Sequence, residues 1–191
     1  MHKLEKRTEI LRAALELIAE HGFHAAPMAI IANRAEVGAG TIYRYFANKD
    51  VLIIELYREI EEKIMPCLLK GYAEKQPIPE RFLHLSTALL RYFISNPQHF
   101  RYLEQFFNSP YGVELRREKL LGRAENRDAY HELFVEGVVR KVIKDLPLPL
   151  LYSLSFGPLL AVTRDHVLGF IVLDDALILK FIEACWDGLK A

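Results

Sequence analysis

Gly38-Ala39-Gly40-Thr41-Ile42-Tyr43-Arg44-Tyr45-Phe46-Ala47-Asn48-Lys49-Asp50 is the run on which the fold of this 191-residue chain turns. Three small residues lead it, so the backbone of its first turn is slim enough to be approached closely. Ile42 and Phe46 stand four apart, one above the other on a helix, and face a small core. Thr41, Tyr43, Arg44 and Tyr45 are left to offer hydroxyls and a cation to an outside partner. A short helix is expected just upstream, from Pro27 to about Ala35, with Ile31 and Ala32 inward and Glu36-Val37-Gly38 as a tight turn after it. A bracing helix, a sharp turn and a second helix that begins slim is the pattern of a helix-turn-helix, whose second helix enters the major groove of DNA.

The neighbouring stretches read as helices too. Ile10, Leu11, Ala14, Leu15, Leu17 and Ile18 recur at helical spacing opposite Glu9, Arg12, Glu16 and Glu20, which predicts an amphipathic helix over 5–21 that Gly22 stops. Asn48 is placed to cap a long helix from Lys49 to about Ala73. Beyond the Gln76-Pro77-Ile78-Pro79 break, helices are expected near 79–95, 97–107, 113–144, 148–168 and 174–189. Asn96-Pro97, Ser109-Pro110-Tyr111-Gly112 and Leu146-Pro147 punctuate them, with no alternating strand pattern and no internal repeat. The expected fold class is all-α: a three-helix DNA-binding domain over residues 1–50, then a helical ligand-binding and dimerisation domain over 51–191.

Composition narrows the function by exclusion. Half the residues are hydrophobic and a quarter charged, the balance of a folded globular chain. Formal net charge is +0, so any basic surface has to be local, and residues 1–50 hold seven Lys and Arg against six Asp and Glu. If DNA is the partner, Arg34, Arg44 and Lys49 are expected to cluster with Lys3, Lys6 and Arg7. Cys67 and Cys185 have no metal-type spacing and read as reduced thiols. Leu146 to Thr163 carries no charged side chain, yet Pro147, Pro149, Gly157 and Pro158 interrupt it, so it reads as a buried or interface helix and no membrane span is expected. The amino-terminal residues lack the apolar stretch of an export signal, and the expected location is cytoplasmic. There is no Gly-x-Ser-x-Gly elbow, no phosphate loop, no His-Glu-x-x-His and no metal-ligand cluster, which argues against an enzyme, a metal site or a cofactor.

From Gly22-Phe23 through Ile31-Ala32, Ala35-Glu36-Val37 and Gly40-Thr41-Ile42-Tyr43-Arg44-Tyr45-Phe46 to Asn48-Lys49-Asp50, the chain resembles the TetR family of repressors. About ten positions over roughly residues 7–56 agree in type and spacing. The resemblance implies a homodimer that binds a palindromic double-stranded DNA operator, represses, and lets go when a small molecule enters its carboxy-terminal domain. It implies phosphate contacts at Thr41, Tyr43 and Lys49, and puts Ala39, Gly40 and Tyr45 against the groove; Arg44, the cation of the same short helix, joins them as a candidate DNA contact from its chemistry alone. The chain also departs from the family pattern. Ala26 and Pro27 stand where Thr or Ser usually caps the second helix, and Glu36 stands where Gly is frequent. A left-handed backbone at Glu36 would cost about 1 kcal/mol relative to Gly.

The carboxy-terminal part has no comparable motif but many aromatics at helical positions. Phe93, Phe100, Tyr102, Phe106, Tyr130, Phe134, Tyr152 and Phe156 are the candidates to line a site for a hydrophobic or aromatic effector. The last two helices are apolar on more than one face, which suits pairing with the same helices of a second chain. The competing reading is a dimeric small-molecule binder of the same fold that does not bind an operator.

Overall fold

Apolar residues spaced three and four apart become buried helix faces almost throughout the computed structural model, which describes residues 2–120 and 129–191 and the side chains of 5–117 and 129–191. Its helices in chain order are α1 (His2–His21), α2 (Met28–Arg34), α3 (Ala39–Tyr45), α4 (Lys49–Leu69), α5 (Ile78–Ser95), α6 (Pro97–Phe107), α7 (Pro110–Leu120), α8 (Ala129–Val139), α9 (Leu148–Val167) and α10 (Asp175–Leu189). Among the described residues the extended pairing is confined to one antiparallel bridge, Ile143 with Lys190. The all-α expectation holds.

The chain divides into two compact units. The first comprises Met1–Lys63 and Asn96–Glu114, the second Ile64–Ser95 and Leu115–Ala191. The first unit thus extends past residue 50, where the sequence suggested a boundary, and it takes in α6. In this unit Ile10, Ala14 and Ile18 of α1, Ile31 of α2, Ile42 of α3, Leu52, Ile53 and Ile60 of α4, and Phe100, Tyr102 and Phe106 of α6 are all fully or almost fully buried. Gly22 ends α1 in the left-handed region, at φ +82, with its amide on the Ile18 carbonyl. Asn48 caps α4 as expected, its Oδ1 accepting from the Val51 amide at 2.9 Å.

In the second unit the core runs through Phe82, Leu85, Leu89 and Leu90 of α5, Leu133 and Phe134 of α8, Leu151 and Leu159 of α9, and Ile178 and Ile182 of α10. Arg81, almost wholly buried on α5, donates to the Tyr72 hydroxyl at 2.9 Å and to the Glu136 carboxylate on α8 at 2.5 Å.

Several helix limits differ from the sequence reading, and α1 already begins at His2 and not at 5. α4 stops at Leu69 and not near Ala73, because Gly71 takes φ +76 and Tyr72 turns back onto the Leu69 carbonyl. α7 begins at Pro110, where the ring fits a first turn that needs no amide donor, and not at 113. Of the helix expected over 113–144, residues 113–120 lie in α7 and 129–139 in α8. α8 ends at Val139, where Lys141 adopts φ 58 and the amides of Lys141 and Val142 close back onto the carbonyls of Val138 and Gly137. The part of that expectation covering 121–128 lies outside the described residues. No helix among the described residues is long and apolar enough to cross a membrane, and Leu146–Thr163 contributes most of its length to α9.

Candidate nucleic-acid interface

α2 starts without a side-chain cap. Pro27 occupies its N-cap with φ −67 and ψ 153, and only its carbonyl helps, accepting from Ile30 and Ile31. Met28, Ile31 and Ala32 are buried, while Ala29, Ile30, Asn33 and Arg34 face out. The face left to a partner is therefore poorer in hydrogen-bond donors than a helix begun with Thr or Ser would be.

The turn after α2 is a complete Schellman closure. Val37 donates to the Ala32 carbonyl at 2.9 Å and Glu36 to the Asn33 carbonyl at 3.1 Å. Glu36 itself sits at φ 53, in the left-handed region whose cost relative to Gly was given above. Gly38 then opens α3, its carbonyl accepting from Thr41 at 2.8 Å.

On α3, Ile42 and Phe46 are buried and anchor the helix, as the spacing predicted. Ala39, Gly40, Tyr43 and Arg44 are exposed, and Thr41 and Tyr45 half-buried. Tyr43 keeps 54% of its surface in solvent, so it is not a core residue of this chain. A Cβ placed on Gly40 would meet no atom within 4 Å, so nothing inside the protein requires a glycine there. The Arg44 guanidinium lies over the Tyr45 ring at 5.4 Å.

Three of the cations expected to cluster have partners within the protein. Arg7 pairs with Glu55 at 2.9 Å and Glu59 at 3.6 Å on α4. Arg34 pairs with Glu16 at 3.1 Å. Lys49 donates to the Phe23 carbonyl. Burial lowers the Lys49 ammonium below its ordinary value, and the Asp50 carboxylate raises it in part. Arg44 is in no ion pair among the described residues, and the side chain of Lys3 lies outside those described.

What sequence reasoning missed is how firmly α6 and the start of α7 hold this head. Gln105 donates to the Ile18 carbonyl at the end of α1 at 2.8 Å, and the Tyr102 hydroxyl to the Ile53 carbonyl of α4 at 2.6 Å. Tyr111 donates to Asp50 at 2.9 Å. Phe23 meets Tyr102 and Tyr111 edge-on, with centroids 6.1 and 5.6 Å away. No local pattern signals partners this far apart in sequence.

The eight aromatics singled out for an effector divide between the two units. Phe100, Tyr102 and Phe106 belong to the first unit, where Tyr102 and Phe106 stack with centroids 5.9 Å apart. Phe93, Tyr130, Phe134, Tyr152 and Phe156 belong to the second. Four of these make a continuous cluster between α8 and α9, with Tyr130 and Phe156 at 4.7 Å, Phe134 and Tyr152 at 5.3 Å, and Tyr152 and Phe156 at 5.5 Å. The Tyr130 hydroxyl is buried on Ser86 at 3.2 Å.

A bracing helix, a closed turn and a short helix that is anchored on one side and slim on the other make this an all-α helix-turn-helix protein. Comparison with known proteins gives its family. Residues 10–56 match bacterial regulatory proteins of the tetR family, and residues 77–190 match the tetracyclin repressor-like C-terminal domain. The chain belongs to the TetR family and is a transcriptional regulator with a DNA-binding helix-turn-helix, not an enzyme. It is 34% identical over 91 residues, 48% of its length and 45% of the other's, to the fatty acid metabolism regulator protein of Bacillus subtilis. To an HTH-type transcriptional regulator of Haemophilus influenzae it is 30% identical over 108 residues, 56% of its length and 58% of the other's. The chain thus spans about half the length of these curated relatives. A solved TetR-family protein from Vibrio parahaemolyticus superposes with a TM-score of 0.76 at 32% identity, over 97% of this chain and 99% of that one.

Proposed function

We propose that the protein is a homodimeric, cytoplasmic repressor that binds a palindromic operator through α3 and is released by an apolar effector. The observation that carries the operator half of this reading is the outer face of α3. Ala39, Gly40, Tyr43 and Arg44 are used by no part of the protein's own core, and the backbone at Gly40 is open to close approach from outside. Ala39, Gly40 and Tyr45 then approach base edges, Thr41 and Tyr43 take phosphate oxygens, and Arg44, braced on Tyr45, reaches a phosphate or a base edge. Lys49 is assigned a phosphate, which it meets by leaving the Phe23 carbonyl.

The dimer reading rests on α9 and α10. Leu150 and Leu154 are exposed along one side of α9 and Leu168 at its C-cap, with Gly157 and Ala161 between them, and Leu177 and Leu179 are exposed on α10. Surface of this kind favours a second copy, which also supplies the second recognition helix that a palindrome requires. For the effector, the Tyr130, Phe134, Tyr152 and Phe156 cluster is the favoured location, with the Tyr130 hydroxyl and Ser86 as its polar groups. The Bacillus subtilis relative named for fatty acid metabolism makes fatty-acid derivatives the first effectors to screen.

The paired state of Arg7, Arg34 and Lys49 favours the competing reading, a ligand-binding dimer without an operator. Selection of bound duplexes from a random pool separates the two. Enrichment of a palindrome whose log K falls steeply with log salt supports the regulator; no enrichment by folded, effector-free dimer overturns operator binding.

A further inference from the structure

We propose that Tyr111 is a positioning residue for operator binding, acting through Asp50 to keep a carboxylate away from the phosphate that Lys49 meets. The inference rests on the reading of Lys49 as a phosphate contact. Lys49 and Asp50 are consecutive in the first turn of α4, so the cation assigned to DNA carries an acid beside it. An untethered carboxylate at that spot would pair with the ammonium or face the phosphate directly, and either weakens binding.

The first unit contains a device that prevents this. Tyr111, in the first turn of α7, donates its hydroxyl to Asp50 Oδ1 at 2.9 Å, which fixes the carboxylate toward α7. The Tyr111 ring is itself set edge-on against Phe23, whose carbonyl accepts from Lys49. One aromatic side chain therefore holds the acid by its hydroxyl while its ring braces the residue on which the cation rests. Asp50 also loads Lys49 electrostatically, so the position of that carboxylate bears directly on the ammonium.

The test uses the full-length protein and the duplex selected above, with affinity measured as a function of salt for Y111F, D50N, the double variant and K49A. Y111F keeps the ring against Phe23 and loses only the tether. It is expected to bind about tenfold more weakly, the scale of one hydrogen bond to a charged group. Its log K against log salt slope is expected to be shallower by about 0.9 for each phosphate that is no longer neutralised. D50N alone is expected to bind more tightly than wild type, and Y111F/D50N to regain at least wild-type affinity. A merely structural tyrosine would not be rescued by removing a charge on another helix. Y111F with unchanged affinity and slope, or a double variant no better than Y111F, overturns the proposal. If Y111F fails to fold, D50N decides, since weaker binding by D50N is equally fatal to it. K49A separates the two levels: if K49A leaves affinity and slope unchanged, the phosphate assignment has failed, whereas a weakened K49A with a silent Y111F sinks the tether alone.

Discussion

Two residues of the helix-turn-helix show how the demands of folding and of binding part company. Glu36 closes the turn after α2 at φ 53, a conformation in which the Cβ of an L-residue crowds the following carbonyl. The closure needs the backbone and not the carboxylate, so Glu36→Gly is expected to stabilise the protein by about 1 kcal/mol, less the entropy glycine adds to the unfolded chain. A thermal melt reads this directly, and a melting temperature that falls would mean the carboxylate has a structural role. Gly40 is the reverse case. Its missing Cβ would touch nothing in the protein, so Gly40→Leu is expected to leave the melting temperature unchanged or raise it. The same side chain fills the space assigned to DNA, and operator affinity is expected to drop roughly tenfold or more, equivalent to about 1.4 kcal/mol. If Gly40→Leu binds as wild type does, α3 does not approach DNA through its first turn.

At the scale of elements, the tie between α5 and α8 is electrostatic as much as apolar. Arg81 is nine-tenths or more buried, with Glu136 and Tyr72 as its partners, while Glu136 is one-third exposed and also meets Arg140 at 3.0 Å. The hydrogen bond from Arg81 holds the Glu136 carboxyl below its ordinary value of 4.5, against a smaller opposing effect of burial. A carboxylate with a depressed folded value stabilises fully above its unfolded value, and that stabilisation is lost as pH falls below about 4.5. Glu136→Gln leaves a buried guanidinium with a weaker acceptor and is expected to cost about 2 kcal/mol at neutral pH, roughly 4–8 °C in melting temperature. The gap between variant and wild type should narrow on acidification through that range. A gap that stays constant would place the stabilisation in packing and not in charge. Elements of this kind were only partly legible in the sequence. Helices declare themselves by local period, which is why α1, α3, α5, α6, α9 and α10 were readable to within a few residues. Lys141 at φ 58 gave no warning, because a lysine in a left-handed turn is chosen by the closure onto Gly137 and Val138 and by no local preference. The site divides along the same line: Thr41 to Phe46 is a contiguous pattern, whereas Gln105 on Ile18 and Tyr111 on Asp50 join residues 87 and 61 positions apart.

At the scale of the whole molecule, the question is whether the exposed apolar side of α9 governs DNA binding without touching DNA. A single recognition helix reads too few base pairs to select an operator, and two are useful only when something fixes their spacing near one turn of the duplex or an in-phase multiple. The exposed Leu150, Leu154 and Leu168, with Gly157 and Ala161 between them, offer a surface on which two chains can approach closely. Leu154 is 41% exposed in the single chain, so Leu154→Glu places its carboxylate in solvent there and should leave the monomer's own core intact. In a dimer that uses this face, the same substitution buries an unpaired charge twice, once for each copy. Leu154→Glu is therefore expected to sediment as a folded monomer with near-wild-type helical content. It should lose high-affinity operator binding while retaining weak, salt-sensitive attachment to any duplex. A variant that remains dimeric would move the interface away from this side of α9. One that becomes monomeric yet still binds the palindrome tightly would show that a single copy of α3 suffices, and the role of the second chain would have to be sought in effector binding instead.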